Sequence, residues 1–297
     1  MSTTVFLGLV THRASRFADS SGPDGLVATT ASALEARGIA SIISISADDA
    51  FTDDLLTLDR AAVIASIKAE LDTEERWRTY VSPGSSKVAL RAFMSARTVY
   101  RQIRLAPPWQ RQISSNDAGA HMLRRLINIE LSHIGLMRQA VDCGSDWALI
   151  VEDDAATDEP EAFATALAQF TQEHQDVRQP QYVNVSRSFS EEHLGIDAHL
   201  TPVGAWGTAG DIQVLSAERP VTNTVCAILY RTDFLRELLA VLDGIPVAPV
   251  LPIDWKLNEA ILRMVEGGTL GPGDCWFLSP APLVQRSMQD DRTTWGK

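Results

Sequence analysis

Three acids stand in a row at Glu152, Asp153 and Asp154, directly after the apolar run WALIV at 147–151. Adjacent like charges repel, so something must offset them. Solvent around a loop is one answer. A hard divalent cation is the other, because Mg²⁺ and Mn²⁺ prefer oxygen ligands and often take one or two carboxylates plus substrate phosphates. A covered strand that ends in carboxylates favours the cation, since open α/β sheets bind ligands at the C-terminal ends of their strands. A second group, Thr11, His12 and Arg13, follows another apolar run at 5–10. If the two strands are parallel, these side chains lie near the acids, where His12 and Arg13 could contact a nucleotide or simply begin a loop.

The elements that would position these residues are legible around them. Ile127, Leu131, Ile134, Met137 and Val141 recur at helical spacing before the acid-bearing strand, and Gly144 suits a helix stop. At the N-terminus, strand 5–10, a helix ending at Gly38 and a strand at 39–45 form a βαβ opening, closed by Asp48 and Asp49. No G-x-G-x-x-G follows the first strand, so a dinucleotide fingerprint is missing, and SPGSSK at 82–87 lacks P-loop spacing. Further on, a helix over 160–176, a strand over 181–186 and an irregular, substrate-loop-like stretch over 193–210 are expected. A strand TNTVCAILYR, a helix capped by Thr232 or Asp233 and a helix starting near Asp254 follow.

Charge is distributed unevenly. The 297-residue chain carries net charge −12, which argues against a general nucleic-acid binder. Yet Arg76, Arg78, Lys87, Arg91, Arg97, Arg101, Arg104 and Arg111 fall in a stretch without an acid. Arg97, Arg101 and Arg104 share one helical face, with Phe93 and Tyr100 on another. This reads as a solvated helix, a site for an anionic acceptor, or an amphipathic surface resting on anionic lipid. The three cysteines, Cys143, Cys226 and Cys275, are scattered without metal-ligand spacing and read as buried thiols in a reducing compartment. No window reaches the roughly 20 apolar residues that span a bilayer. The N-terminus lacks a signal peptide's basic region, so a cytoplasmic protein is expected, with the basic helix offering a peripheral membrane contact.

The central stretch resembles glycosyltransferase family 25, the lipooligosaccharide galactosyltransferase type. In that family a helix with an LSH segment precedes an apolar strand ending in EDD, here Leu131-Ser132-His133 and Glu152-Asp153-Asp154. TVCAILYRTDFLRELL followed by PIDW, and a late PAPLVQRSM, are also similar, so the match runs over roughly 125–288 in the family's order. The resemblance implies a single GT-A-like domain: a Rossmann-type, mostly parallel sheet flanked by helices. Its nucleotide-sugar half covers about 1–158, with a basic helical insertion at about 73–120, and its acceptor half about 180–297. It further implies a UDP-type nucleotide-sugar donor, a glycan or glycolipid acceptor, Mn²⁺ or Mg²⁺, and inversion at the anomeric carbon.

On that footing Asp154 is the expected metal ligand, with Glu152 shared between metal and donor ribose. Asp153 points to the opposite side of the extended segment. Thr11, His12, Arg13, Asp48 and Asp153 then line the donor, and Ser132 and His133 support the acids from behind. Arg97, Arg101 and Arg104 face the acceptor. Asp254 is the expected base for the acceptor hydroxyl, with a plain helix cap as the alternative. The triplet is EDD where many GT-A enzymes have D-x-D, although Glu152 and Asp154 keep the spaced pair. The last histidine is His199, so diphosphate and water, or Gln285, must complete the metal's ligands. A nucleotidyltransferase, a phosphohydrolase and a non-catalytic nucleotide- or sugar-binding module are the rival readings. The first lacks its glycine-rich loop here, and the second its histidines.

Overall fold

The computed structural model describes residues 3–11, 17, 25–46, 60–82, 88, 92, 96, 118–207, 210–245 and 253–286. In chain order the elements are β1 (Thr4–Val10), α1 (Leu26–Glu35), β2 (Ala40–Ser46), α2 (Arg60–Val81), α3 (Ala118–Asp142), β3 (Trp147–Glu152), β4 (Ala155–Ala156) and α4 (Pro160–Glu173). Then come β5 (Tyr182–Asn184), β6 (Ser186–Arg187), α5 (Glu191–Leu194), β7 (Leu200–Trp206), β8 (Ile212–Ala217), β9 (Ala227–Arg231), α6 (Thr232–Asp243), α7 (Ile253–Glu266), β10 (Cys275–Ser279) and β11 (Leu283–Gln285).

Eight strands form one sheet in the order β2-β1-β3-β9-β5-β10-β8-β7, and β4-β11-β6 form a second, small sheet. The opening is as expected: β1 pairs in parallel with both β2 and β3. The sheet as a whole is mixed, not mostly parallel. Strand β9 runs antiparallel between β3 and β5, and β8 and β7 add antiparallel pairs beyond β10. The reason lies in the connections. Parallel neighbours need a crossover, which α1 provides between β1 and β2, whereas a short reversal can only produce an antiparallel pair. Such a reversal joins β7 to β8, with Gly207 and Gly210 both at positive φ. The stretch expected as an irregular substrate loop over 193–210 therefore includes an edge strand, β7, preceded by short helical turns.

Alternation along the central strands feeds two cores. Phe6, Ala148, Ile150, Ile228 and Tyr230 face α3, α6 and α7 through Leu136, Met137, Leu235, Leu238, Leu257 and Ile261. Val5, Leu7, Leu9, Leu149, Val151 and Leu229 face α1 and α4 through Leu34, Phe163, Leu167 and Phe170. Burial on both faces explains why WALIV is apolar throughout. Gly8 lets α3 approach β1: a Cβ there would meet Phe6 at 3.1 Å and Leu136 at 3.3 Å. Gly38 and Gly144 end their helices at positive φ, as the sequence predicts. Helix α6 differs at its start, since Arg231 occupies the cap position and its side chain makes no capping bond. Thr232 instead meets Ser145 through its hydroxyl, inside the core.

The basic stretch begins inside α2, where two of its eight cations are already used. Arg76 forms ion pairs with Glu259 and Glu266 of α7, and Arg78 with Glu74. The Arg76 pairs dock α2 on α7, and the other six cations of the stretch lie outside the described residues. Arg97, Arg101 and Arg104 lie outside the described residues, as do His12, Arg13 and Asp48. Among the described residues no helix is long and apolar enough to cross a membrane.

Candidate functional site

The ends of β1 and β3 lie side by side, with Val10 opposite Glu152. The Asp153 amide donates to the Val10 carbonyl at 2.9 Å, and the Thr11 hydroxyl donates to the Asp153 carboxylate at 2.8 Å. Asp153 is thereby turned towards the end of β1, as its alternation with its neighbours requires. On the other flank the Glu152 amide donates to the Cys226 carbonyl at 2.7 Å, one residue before β9 begins. Because β9 is antiparallel, its first residues meet the last residues of β3, and Cys226 arrives beside the acids.

Oxygen atoms of Glu152 and Asp154 and the sulfur of Cys226 all lie within 4.8 Å of one another. Asp154 is buried and Glu152 half-buried, while Cys226 is fully buried. The Cys226 thiol sits 3.9 Å from Asp154 Oδ1. Burial pushes this thiol well above its ordinary pKa, and the charges of Asp154 and Glu152 add to the effect. It therefore stays protonated at neutral pH unless a cation stands beside it.

Both oxygens of Glu152 are held. His133 Nε2 lies 3.2 Å from Oε1, and Gln285 Nε2 donates to Oε2 at 3.4 Å. His133 projects from α3 and is 1% exposed. With Nε2 carrying the proton, Nδ1 has no partner among the described residues. Ser132 is buried in the same turn. Gln285 reaches the acids because the small sheet folds over them: Gln285 stands opposite Ala155 in the β11–β4 pair, and the Arg286 amide donates to the Asp154 carbonyl at 2.9 Å. Its side-chain oxygen accepts from the Ser188 hydroxyl at 2.7 Å, and Ser188 meets the Thr224 hydroxyl at 2.8 Å. Thr224 is the one non-glycine residue at positive φ among those described, at 67°, costly for a β-branched side chain.

Behind the acids, α3 and α7 share a buried ion pair between Glu130 and Lys256, both about 2% exposed. Burial raises the Glu130 carboxyl above its ordinary pKa, with Lys256 pulling the other way. Two residues further along α7, the Asn258 side-chain oxygen accepts the Thr222 amide at 3.0 Å, so this helix reaches the segment leading to Cys226. Asp254 lies half-buried in the first turn of α7. A cleft of about 390 Å³ lined by Arg178, Gln179, Thr269 and Asp274 lies elsewhere, where β5 and β10 begin, at the opposite edge from the acids.

The donor set suits a divalent cation. Two carboxylates converge from one strand end, one of them with both oxygens already oriented, and such atoms are what hard ions prefer. Glu152 and Asp154 would hold the ion, with Gln285 beside them. Sequence reasoning found the acid pair, His133 and Gln285. It missed Cys226, Ser188 and Thr224, because only the antiparallel insertion of β9 brings the TNTVC segment to the end of β3. No protein-family model matches this chain, and no curated protein matches it significantly.

Proposed function

We propose that the chain is a metal-dependent inverting glycosyltransferase that moves a sugar from a nucleotide-sugar, of the UDP type, to a hydroxyl of a glycan or glycolipid. The observation that carries this reading is the convergence of Glu152 and Asp154 at the end of a fully covered strand, with Glu152 fixed by His133 and Gln285. When bound, a Mn²⁺ or Mg²⁺ ion would neutralise charge on the departing diphosphate. Glu152 and Asp154 hold that ion, and His133 keeps the Glu152 carboxylate in one orientation. Asp153, tied to Thr11, orients the nucleoside on the β1 side, where His12, Arg13 and Asp48 complete the donor's surroundings.

Transfer with inversion also needs a group that accepts the acceptor hydroxyl's proton. Asp254 takes that role, at the start of a helix whose next turns reach both α3 and the Thr222 segment. Arg97, Arg101 and Arg104 contact the acceptor or an anionic lipid surface around it. The test is nucleotide release from a panel of nucleotide-sugars, with Mn²⁺, with Mg²⁺ and with chelator. The expected outcome is release that depends on the ion. Asp254→Asn should slow transfer by about 10²-fold or more while sparing donor affinity. Release indifferent to chelator overturns the metal role, and near-normal transfer by Asp254→Asn returns Asp254 to a helix-terminal charge.

A further inference from the structure

Cys226 is the fully buried member of the acid group, and its position is set by backbone rather than by chance packing. Its carbonyl receives the Glu152 amide, and the next residue, Ala227, is fixed twice by Ser186, whose hydroxyl accepts the Ala227 amide at 2.9 Å. The backbone that carries the sulfur therefore cannot drift from the carboxylates without unpairing β9 from β3. Around a four-coordinate ion, metal–sulfur bonds are about 2.3 Å and metal–oxygen bonds about 2.0–2.2 Å, which places sulfur and oxygen about 3.6 Å apart at a tetrahedral angle. The observed separation from Asp154 Oδ1 is 3.9 Å. A few tenths of an ångström closes that gap, and a Glu152 oxygen already lies within 4.8 Å of both atoms.

Neighbouring side chains also support the cluster. His133, 1% exposed, abuts Glu152, and Gln285 fixes the other oxygen. Carboxylates that bind metal are held in this way by outer hydrogen bonds. Hard ions such as Mg²⁺ ignore sulfur, whereas Zn²⁺ and Co²⁺ accept carboxylate and thiolate together.

We propose that Cys226 is a third metal ligand, so that the centre takes a borderline divalent ion, Zn²⁺ or Co²⁺, through Glu152, Asp154 and a Cys226 thiolate. This inference rests on the reading of Glu152 and Asp154 as the metal site. Binding exchanges the thiol proton for the metal, M²⁺ plus thiol giving metal thiolate plus H⁺, with no change of oxidation state. A hard ion uses the carboxylates alone. The centre is then tuned between ion classes by one sulfur atom.

Co²⁺ titration of the full-length protein tests this directly, because a thiolate bound to Co²⁺ gives a near-ultraviolet charge-transfer absorption that oxygen ligands do not. The band should form in wild type and vanish in Cys226→Ser and Cys226→Ala, each compared at matched thermal stability. The ratio of Zn²⁺ to Mn²⁺ affinity should drop on the order of tenfold or more in both. A wild-type protein that binds Co²⁺ without the band overturns the proposal, and needs no variant to fold. So does a band that survives in Cys226→Ala, which would point to Cys143 or Cys275. If Mn²⁺ supports nucleotide release while Co²⁺ gives no thiolate band, the acid-pair reading stands and the cysteine proposal falls. If neither ion binds, both fall.

Discussion

Two sets of buried carboxylates lie within the same helix–sheet sandwich and are treated in opposite ways. Glu130 and Glu259 are each matched to cations: Glu130 to Lys256, and Glu259 to Arg76 and Arg263, with Thr73 adding a hydroxyl. Glu152 and Asp154 converge with one another and with a thiol, and Glu152 is held by His133 and Gln285. The first set satisfies the requirement that a buried charge be paired, and it joins α2, α3 and α7 into one layer. The second concentrates like charge at a strand end, where a bound cation would offset it. On the proposed reading, the difference separates acids that hold the fold from acids that use it.

Breaking the fold-holding set should give the largest effect. Lys256→Met leaves Glu130 buried without its cation and should destabilise by about 3–5 kcal/mol in urea unfolding, with Lys256→Met combined with Glu130→Leu recovering most of the loss. A loss under about 1 kcal/mol would place Glu130 with the functional acids instead. The mirror experiment is Asp154→Asn, which should cut ion-dependent turnover by about 10²-fold, equivalent to about 2.7 kcal/mol, while leaving the unfolding midpoint unchanged or raised. A large loss of stability there would erase the distinction.

A smaller effect sharpens it through pH. Burial raises the Glu130 carboxyl in the native state. Between the ordinary Glu value and that raised value the native chain keeps a proton that the unfolded chain has released. This group's contribution to stability therefore falls as pH rises through that window. Unfolding midpoints of wild type and Glu130→Gln across about pH 4 to 7 should show a flatter slope in the variant, and identical slopes would refute the assignment. The smallest effect is expected at the surface. Arg138 and Asp243 pair at 2.7 Å but are both more than half exposed, so Arg138→Gln should change stability by no more than about 0.5 kcal/mol.

The sequence by itself determined the local pieces of this protein. Period and punctuation set β1, α1, β2, the helix before the acids, its stop at Gly144 and the strand that carries Glu152, because those signals depend on near neighbours. Alternation alone separated Asp153 from Glu152 and Asp154, and the family resemblance of the Leu131-Ser132-His133 segment marked His133. What the tertiary structure decided is everything that depends on strand order. The antiparallel entry of β9 brought Cys226 to the acids, the small sheet brought Gln285 and Ser188, and the reversal at Gly207 made a strand of part of the expected loop. Arg76 turned from a free cation into a tie between α2 and α7, since its partners Glu259 and Glu266 lie far along the chain. Pairing of this kind is chosen by packing between distant segments, and no window of neighbouring residues contains it.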